Sequence, residues 1–265
     1  WNLSVQTSSI GIMATGMVLV IITRHIDLSV GSMLGFIAII MGTVQVNILP
    51  QYLGLGHPMI WIIAIFAGLL MGTLLGAFQG WMIAYGTIPA FIVTLGGLLV
   101  WRGAGFLVAR GETISPVDAT FKLLGGGPFG AIGNTGSWIV GILGCIAVLA
   151  LIILGRRKRK TFGLPLRPVW AETFLAAIGA GAVIGTTLLM NAYPWPKGII
   201  KKYAAAEGIE VPPEGIFISH GFAIPVLILI GVTIAMTILM TRTKFGRYVY
   251  AIGGNPEAAE LAGIN

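Results

Sequence analysis

The sequence predicts an all-α, polytopic membrane protein, a helical bundle of about seven spans, and three observations lead there. Only 25 of its 265 residues are charged, 16 basic and 9 acidic, a share of 9%; a soluble domain carries roughly a quarter. Apolar residues make up 56% before the 39 glycines are counted, and mean hydropathy is +0.94, more apolar matter than a globule of this size can hide. Stretches long and apolar enough to cross a hydrocarbon core about 30 Å thick, which takes roughly 20 helical residues, recur along the chain. A soluble enzyme or a nucleic-acid binder is not expected, although the net charge is +7. The single cysteine, Cys145, rules out an internal disulfide framework or a cysteine-based metal cluster.

The predicted spans are Val5–Thr23, Val30 to about Asn47, Met59–Tyr85, Pro89–Ala109, Ser137–Leu154, Trp170–Met190 and Gly221–Met240. Short connections at 24–29, around His57 and Pro58, and at 86–88 predict antiparallel neighbours packed side by side. Two longer polar loops are expected, Arg110–Gly136 and Asn191–His220, and a basic loop after the fifth span. Lysine and arginine collect in cytoplasmic loops. Arg156, Arg157, Lys158, Arg159, Lys160 and Arg167 form one cluster, and Arg242, Lys244 and Arg247 a second. Two spans separate the clusters, so both fit one side, and residues 156–169 and 241–265 are expected to be cytoplasmic. The loop between, where Lys197, Lys201 and Lys202 are balanced by Glu207, Glu210 and Glu214, is then exterior. Counting back makes Trp1 exterior, so the chain is read as a truncated piece of a longer protein with at least one span upstream.

Glycines at 68, 72, 76 and 80 recur every four residues along the third span, a face for close helix approach, with Gln79 beside it. At the start of the second span, Asp27 or Ser29 is placed to cap the helix. Pro89 is read as the first helical residue of the fourth span, where Thr94 and the Gly96-Gly97 pair interrupt an apolar run. Such an interruption is tolerated at membrane depth where protein packs on it or a wet cavity opens beside it. Arg102 in the same span either snorkels to the interface or is paired. Catalytic signatures are absent: there is no nucleophile elbow, no zinc-protease motif, and Gly125-Gly126-Gly127-Pro128 lacks the lysine and hydroxyl of a phosphate loop. His25, His57 and His220 have no ligand spacing, so no metal and no cofactor is expected.

The C-terminal stretch carries the most information. After a basic turn at Thr243–Arg247 come the pair Gly253-Gly254, Asn255 as N-cap, Pro256 at the first helical position and Glu257 in the first turn, which predict a short helix from 256 ended by Gly263. A short helix between glycine turns suits docking into a partner's groove. Glu257-Ala258-Ala259, followed three residues later by Gly263, resembles the glutamate-alanine-alanine coupling motif of ABC importer permeases. Gly246-Arg247-Tyr248 with Ala251–Asn255, together with Met17–Ile22, Ile26–Ser32 and Phe91–Gly97, resembles the monosaccharide (ribose and xylose) branch. The likeness covers most of residues 5–110 and 221–265, and it is greatest to the permease group of bacterial xylose importers, in which 156–220 would be an inserted basic loop, extra span and exterior loop.

The resemblance implies a single transmembrane permease domain over 1–265 in a bacterial inner membrane, without catalytic residues of its own. Its implied partners are ABC ATPase subunits, a periplasmic sugar-binding protein, a second permease copy and membrane lipid. Gly253, Gly254, Asn255, Glu257, Ala258, Ala259 and Gly263 would form the coupling region. Segments around Ser8, Asp27, Ser29, Thr94 and Gly96 would line the path of a monosaccharide, a pentose such as xylose. An ion-coupled sugar carrier is the rival, and it usually needs an intramembrane carboxylate. Asp27 and Glu172 are the acids close to spans, and both fall at predicted ends.

Overall fold

The computed structural model describes residues 1–127, 129–209, 212 and 215–264. Pro128 of the glycine run, Glu210 and Glu214 of the loop balance, and Asn265 lie outside the described residues. The helices are α1 (Asn2–Ile22), α2 (Val30–Thr43), a π-helical turn (Val44–Ile48), α3 (Leu49–Leu53), α4 (Ile60–Ala84), α5 (Ala90–Ala109), α6 (Ala119–Leu124), α7 (Gly133–Thr161), α8 (Val169–Asn191), α9 (Lys197–Glu207), α10 (Ile224–Arg242), α11 (Lys244–Gly254) and α12 (Pro256–Leu261). Counting α2 through α3 as one, 7 of these are long and apolar enough to cross a membrane, and they coincide with the seven expected spans.

The second span runs on past Asn47 to Leu53. Pro50 cannot donate a hydrogen bond and crowds the preceding turn, and the widened π turn before it lets the helix continue until Gly54 at φ 84°. α5 begins one residue later than expected, with Pro89 as its N-cap rather than its first helical residue. It passes unbroken through Gly96 and Gly97, because the Thr94 hydroxyl bonds back to the Ala90 carbonyl at 2.8 Å instead of competing for the ladder. α7 continues to Thr161, so Arg156–Lys160 is helical and not a loop; these cations are good helix formers and complement the C-terminal dipole. The loop 191–220 contains α9, ended by Gly208 in the left-handed region.

The chain divides into two units. In Trp1–Gln6 with Leu123–Leu227, α7 lies antiparallel to α8 on interlocking small residues. A Cβ at Gly141, Gly144 or Gly179 would come within 2.6, 3.0 and 2.7 Å of Thr187, Val183 and Val148 respectively. In Thr7–Lys122 with Ile228–Asn265, α2 packs chiefly on α5 and α4. The glycine stripe of α4 serves this packing by half: Gly68 abuts Met41 and Gly72 lies against Ile37, whereas nothing stands within 4 Å of Gly76 or Gly80. Side-by-side packing of sequence neighbours fails at α1, which makes no extended contact with α2 among the described residues; the turn at Arg24, φ 63°, redirects the chain, and Gly11 of α1 instead meets Leu229 of α10.

Candidate functional site

Two groups of polar residues meet on the seven-residue joint, Thr23–Ser29, between α1 and α2. The first lies at its far end. Asp27 does not cap α2, and neither does the Ser29 side chain: Ser29 sits at φ −85°, ψ −13°, already helical, so its hydroxyl turns away from the first-turn N–H groups. Asp27 Oδ1 instead accepts from both the backbone N–H and the hydroxyl of Ser29, each at 2.7 Å. The Ser29 hydroxyl also lies 3.2 Å from Gln79 Oε1 of α4. Thr94 of α5 approaches from the other side and donates to the Ile26 carbonyl at 3.3 Å. Ser29, Gln79 and Thr94 are all buried. Gly97 makes room for this arrangement, since a Cβ there would strike Gln79 Nε2 and stand 3.1 Å from Trp101 Nε1. Both nitrogens are buried without a hydrogen-bond partner.

The second group holds the near end of the joint to the C-terminal helices. Arg24 Nε donates to the Gly253 carbonyl at 2.8 Å and Nη2 to the Gly254 carbonyl at 2.6 Å, filling acceptors that the end of α11 leaves open. Gly253 fits only as glycine, because a Cβ would overlap the Ile22 carbonyl. α11 replaces the expected basic turn: the Thr243 hydroxyl accepts from the Gly246 N–H at 3.3 Å and starts a helix that includes the Gly253-Gly254 pair. The N-cap of α12 is as read from the sequence, with Asn255 Oδ1 accepting from the Ala258 N–H at 3.1 Å, Pro256 first and Glu257 in the first turn. Gly263, at φ 78°, follows its end. Ala259 is buried and pins the helix, while Glu257 and Ala258 are exposed and Leu261 stands 91% exposed.

Comparison with known proteins gives the family of the chain. The family model for the permease component of branched-chain amino acid transport systems matches residues 1–170 and 146–265. The chain belongs to this permease family. The permease is 37% identical over 264 residues, its whole length, to the xylose transport system permease protein of Escherichia coli (strain K12), and covers 58% of it. It is 34% identical over 267 residues to the corresponding protein of Haemophilus influenzae, covering 60%. The ribose import permease protein of Escherichia coli (strain K12) is 38% identical over 154 residues, 54% of the permease and 42% of that relative. The chain thus spans about three fifths of the length of the xylose relatives it matches. No solved structure matches it. With seven apolar helices and these relatives, the permease is a multi-pass inner-membrane protein.

Asp27, Ser29 and Thr94 of the permease are therefore brought together through the joint. Ser8 is buried elsewhere on α1, and by a rise of 1.5 Å per residue it lies about 20 Å along that helix from Ile22. Gly96 faces a cavity of about 300 Å³ between α4 and α5 that Gln79 and Trp101 also line. Arg102 is exposed and forms no ion pair among the described residues. Glu172 is no free carboxylate, since Arg156 holds it at 2.6 Å. Trp101 and Leu261 were not singled out from sequence: one apolar-looking residue in a span and one leucine in a six-residue helix carry no pattern of their own. Arg24 carries no role in the sequence reading, because its carbonyl partners lie some 230 positions away.

Proposed function

We propose that the permease is the membrane subunit of an ATP-driven importer of monosaccharides, with a pentose such as xylose as cargo and α12 as the element gripped by a separate ATPase subunit. The relatives' names supply the cargo. One observation supports the ATP coupling: α12 is a capped, exposed helix whose root is tied by Arg24 to the joint where Asp27 meets the buried Ser29 and Thr94. Closure of the ATPase would pull α12 and α11, and the two guanidinium bonds would pass the displacement to the Thr23–Ser29 joint. That joint is bonded to α5 through the Ile26 carbonyl and packed against α4 through Ser29, so it would shift the segments proposed to border the sugar path, including Gly96. Residues 156–169 and 241–265 are assigned to the cytoplasm on their basic clusters, which places α12 where ATP is hydrolysed and the loop 191–220 outside. A periplasmic sugar-binding protein and a second permease copy complete the proposed assembly.

The test is capture of the cognate ATPase by the full-length protein in detergent. Wild type is expected to hold it; Glu257→Arg and Gly263→Trp, each still inserted in the membrane, are expected to lose it. No ATPase capture by wild type, or sugar uptake that continues at full rate after the ATPase gene is deleted, would overturn the reading in favour of an ion-coupled carrier.

A further inference from the structure

A second candidate site lies in the unit formed by Trp1–Gln6 and Leu123–Leu227, far along the sequence from the joint. Its frame is aromatic. Trp195 sets its ring edge-on against Tyr203, with centroids 5.6 Å apart, and against Phe129 at 5.2 Å; Trp1 lies 4.4 Å from His220. The local backbone explains why these rings converge. Pro194 and Pro196 hold the chain extended around Trp195, whose N–H bonds to the Ile218 carbonyl at 2.8 Å, and Pro194 pairs with Ser219 as an isolated bridge. α9 then returns Tyr203 to the same place. Gly133 donates to the His220 carbonyl at 2.9 Å, which brings the start of α7, with Asn134, to the other wall.

Between them is a cavity of about 520 Å³, lined by Trp195, Tyr203, Phe217, Asn134, Ser219 and His220 among others. Small-molecule sites run to roughly 300–1,000 Å³. His220 is 2% exposed, and its Nδ1 has no hydrogen-bond partner. Burial lowers the His220 pKa, opposed by the carbonyls of Tyr193 and Pro194, so the ring is neutral at pH 7. Among the described residues, none of the lining carries a charge at that pH. The cavity therefore suits a neutral molecule with an apolar face for the rings and hydroxyls for Asn134 and Ser219. Aromatic faces carry negative π density and attract the C–H face of a sugar ring, while its hydroxyls both donate and accept.

We propose that this cavity is a monosaccharide-binding site at the exterior mouth of the permease, separate from the group at the α1–α2 joint. The choice of sugar as ligand, and the exterior side, rest on the importer reading above; the cavity and its chemistry do not. A sugar handed over outside the membrane would be held there by stacking on Trp195, whose ring His220 backs at 6.2 Å, and by the side chains of Asn134 and Ser219.

The experiment uses the full-length protein in lipid nanodiscs without its binding protein, with radiolabelled D-xylose as the probe and ATPase capture measured on the same preparation. Wild type is expected to bind xylose saturably. Trp195→Leu and His220→Ala should each weaken binding about tenfold or more, the scale of one lost buried contact; Trp195→Phe should restore most of it, and ATPase capture should be unchanged in all three. Saturable binding that neither substitution weakens overturns the proposal. So does absence of saturable binding by wild type, including the case in which the substitutions alter only the docking of the sugar-binding protein. Xylose binding without ATPase capture would leave this site standing and sink the importer reading instead; ATPase capture without xylose binding would do the reverse.

Discussion

The group α2, α4 and α5 and the hairpin of α7 and α8 are both membrane helices packed through glycine, yet they are held by different means. In the hairpin three glycines on two helices receive Thr187, Val183 and Val148, and the Cys145 thiol meets the Ala180 carbonyl at 4.0 Å. The contacts are steric, repeated and interchangeable. Between α2, α4 and α5 glycine clears space for a few polar side chains with specific partners: Ser29 bonds to Asp27 and Gln79, Thr94 reaches the Ile26 carbonyl, and Gly97 leaves room for Gln79. Lipid supplies no hydrophobic drive for helices to associate, so close packing suffices for a static hairpin. A polar group costs free energy when its partner moves, which gives such helices distinct alternative arrangements and suits them to a moving part.

The largest effect should come from filling the space that this polar group needs. A Cβ at Gly97 already strikes the buried Gln79 amide and stands 3.1 Å from Trp101 Nε1, so Gly97→Leu is expected to destabilise the protein by about 3 kcal/mol or more and to abolish its recovery as a monodisperse peak in detergent. Gly76→Leu on α4, where nothing lies within 4 Å, should be recovered at near wild-type yield. Equal recovery of the two would remove the distinction between packed and open glycines on which the comparison rests. Asp27→Ala comes next. It leaves the Ser29 N–H without its acceptor and the Ser29 hydroxyl with Gln79 Oε1 alone, a loss of about 1.5–3 kcal/mol for bonds to a charged group. Uptake by the full-length importer in proteoliposomes should fall at least about tenfold, with the membrane level little changed. Normal uptake by this variant would show that the carboxylate only closes a turn.

How much of this was legible beforehand depends on the range over which each signal acts. The seven spans and the α12 cap could be read because hydropathy and capping are local: Asn255, Pro256 and Glu257 stand next to one another in the chain. α9 and α11 were missed for an equally local reason. Both are amphipathic helices of 11 residues, too short and too polar to register beside the spans, although Gly208 and Thr243 mark an end and a start. The site was half visible. Asp27, Ser29 and Thr94 stood out as polar residues at span ends, but the Arg24 contact with Gly253 and Gly254 and the burial of Gln79 beside Ser29 depend on chain returns across 229, 230 and 50 positions. No periodicity encodes such returns. The expectation that Ser29 or Asp27 caps α2 failed because capping needs an extended backbone at the cap, and Ser29 is already helical.

The smallest effect belongs to the hairpin and sharpens the comparison from its other side. Arg156 and Glu172 form an ion pair at 2.6 Å across the turn between α7 and α8, with the arginine side chain 38% exposed. Pairs so open to solvent are worth about 0–1 kcal/mol, since water and salt screen the attraction and two long side chains lose freedom. Arg156 also donates to the Arg167 carbonyl at 3.3 Å, so removal of Glu172 leaves the guanidinium with one partner rather than none. Thermal denaturation of Arg156→Ala, Glu172→Ala and the double variant in detergent should give a coupling below about 1 kcal/mol, with uptake in proteoliposomes unaltered. A large coupling, or loss of uptake in either single variant, would mean that the hairpin too depends on a unique polar contact, and that the division between a steric scaffold and a polar moving part is drawn in the wrong place.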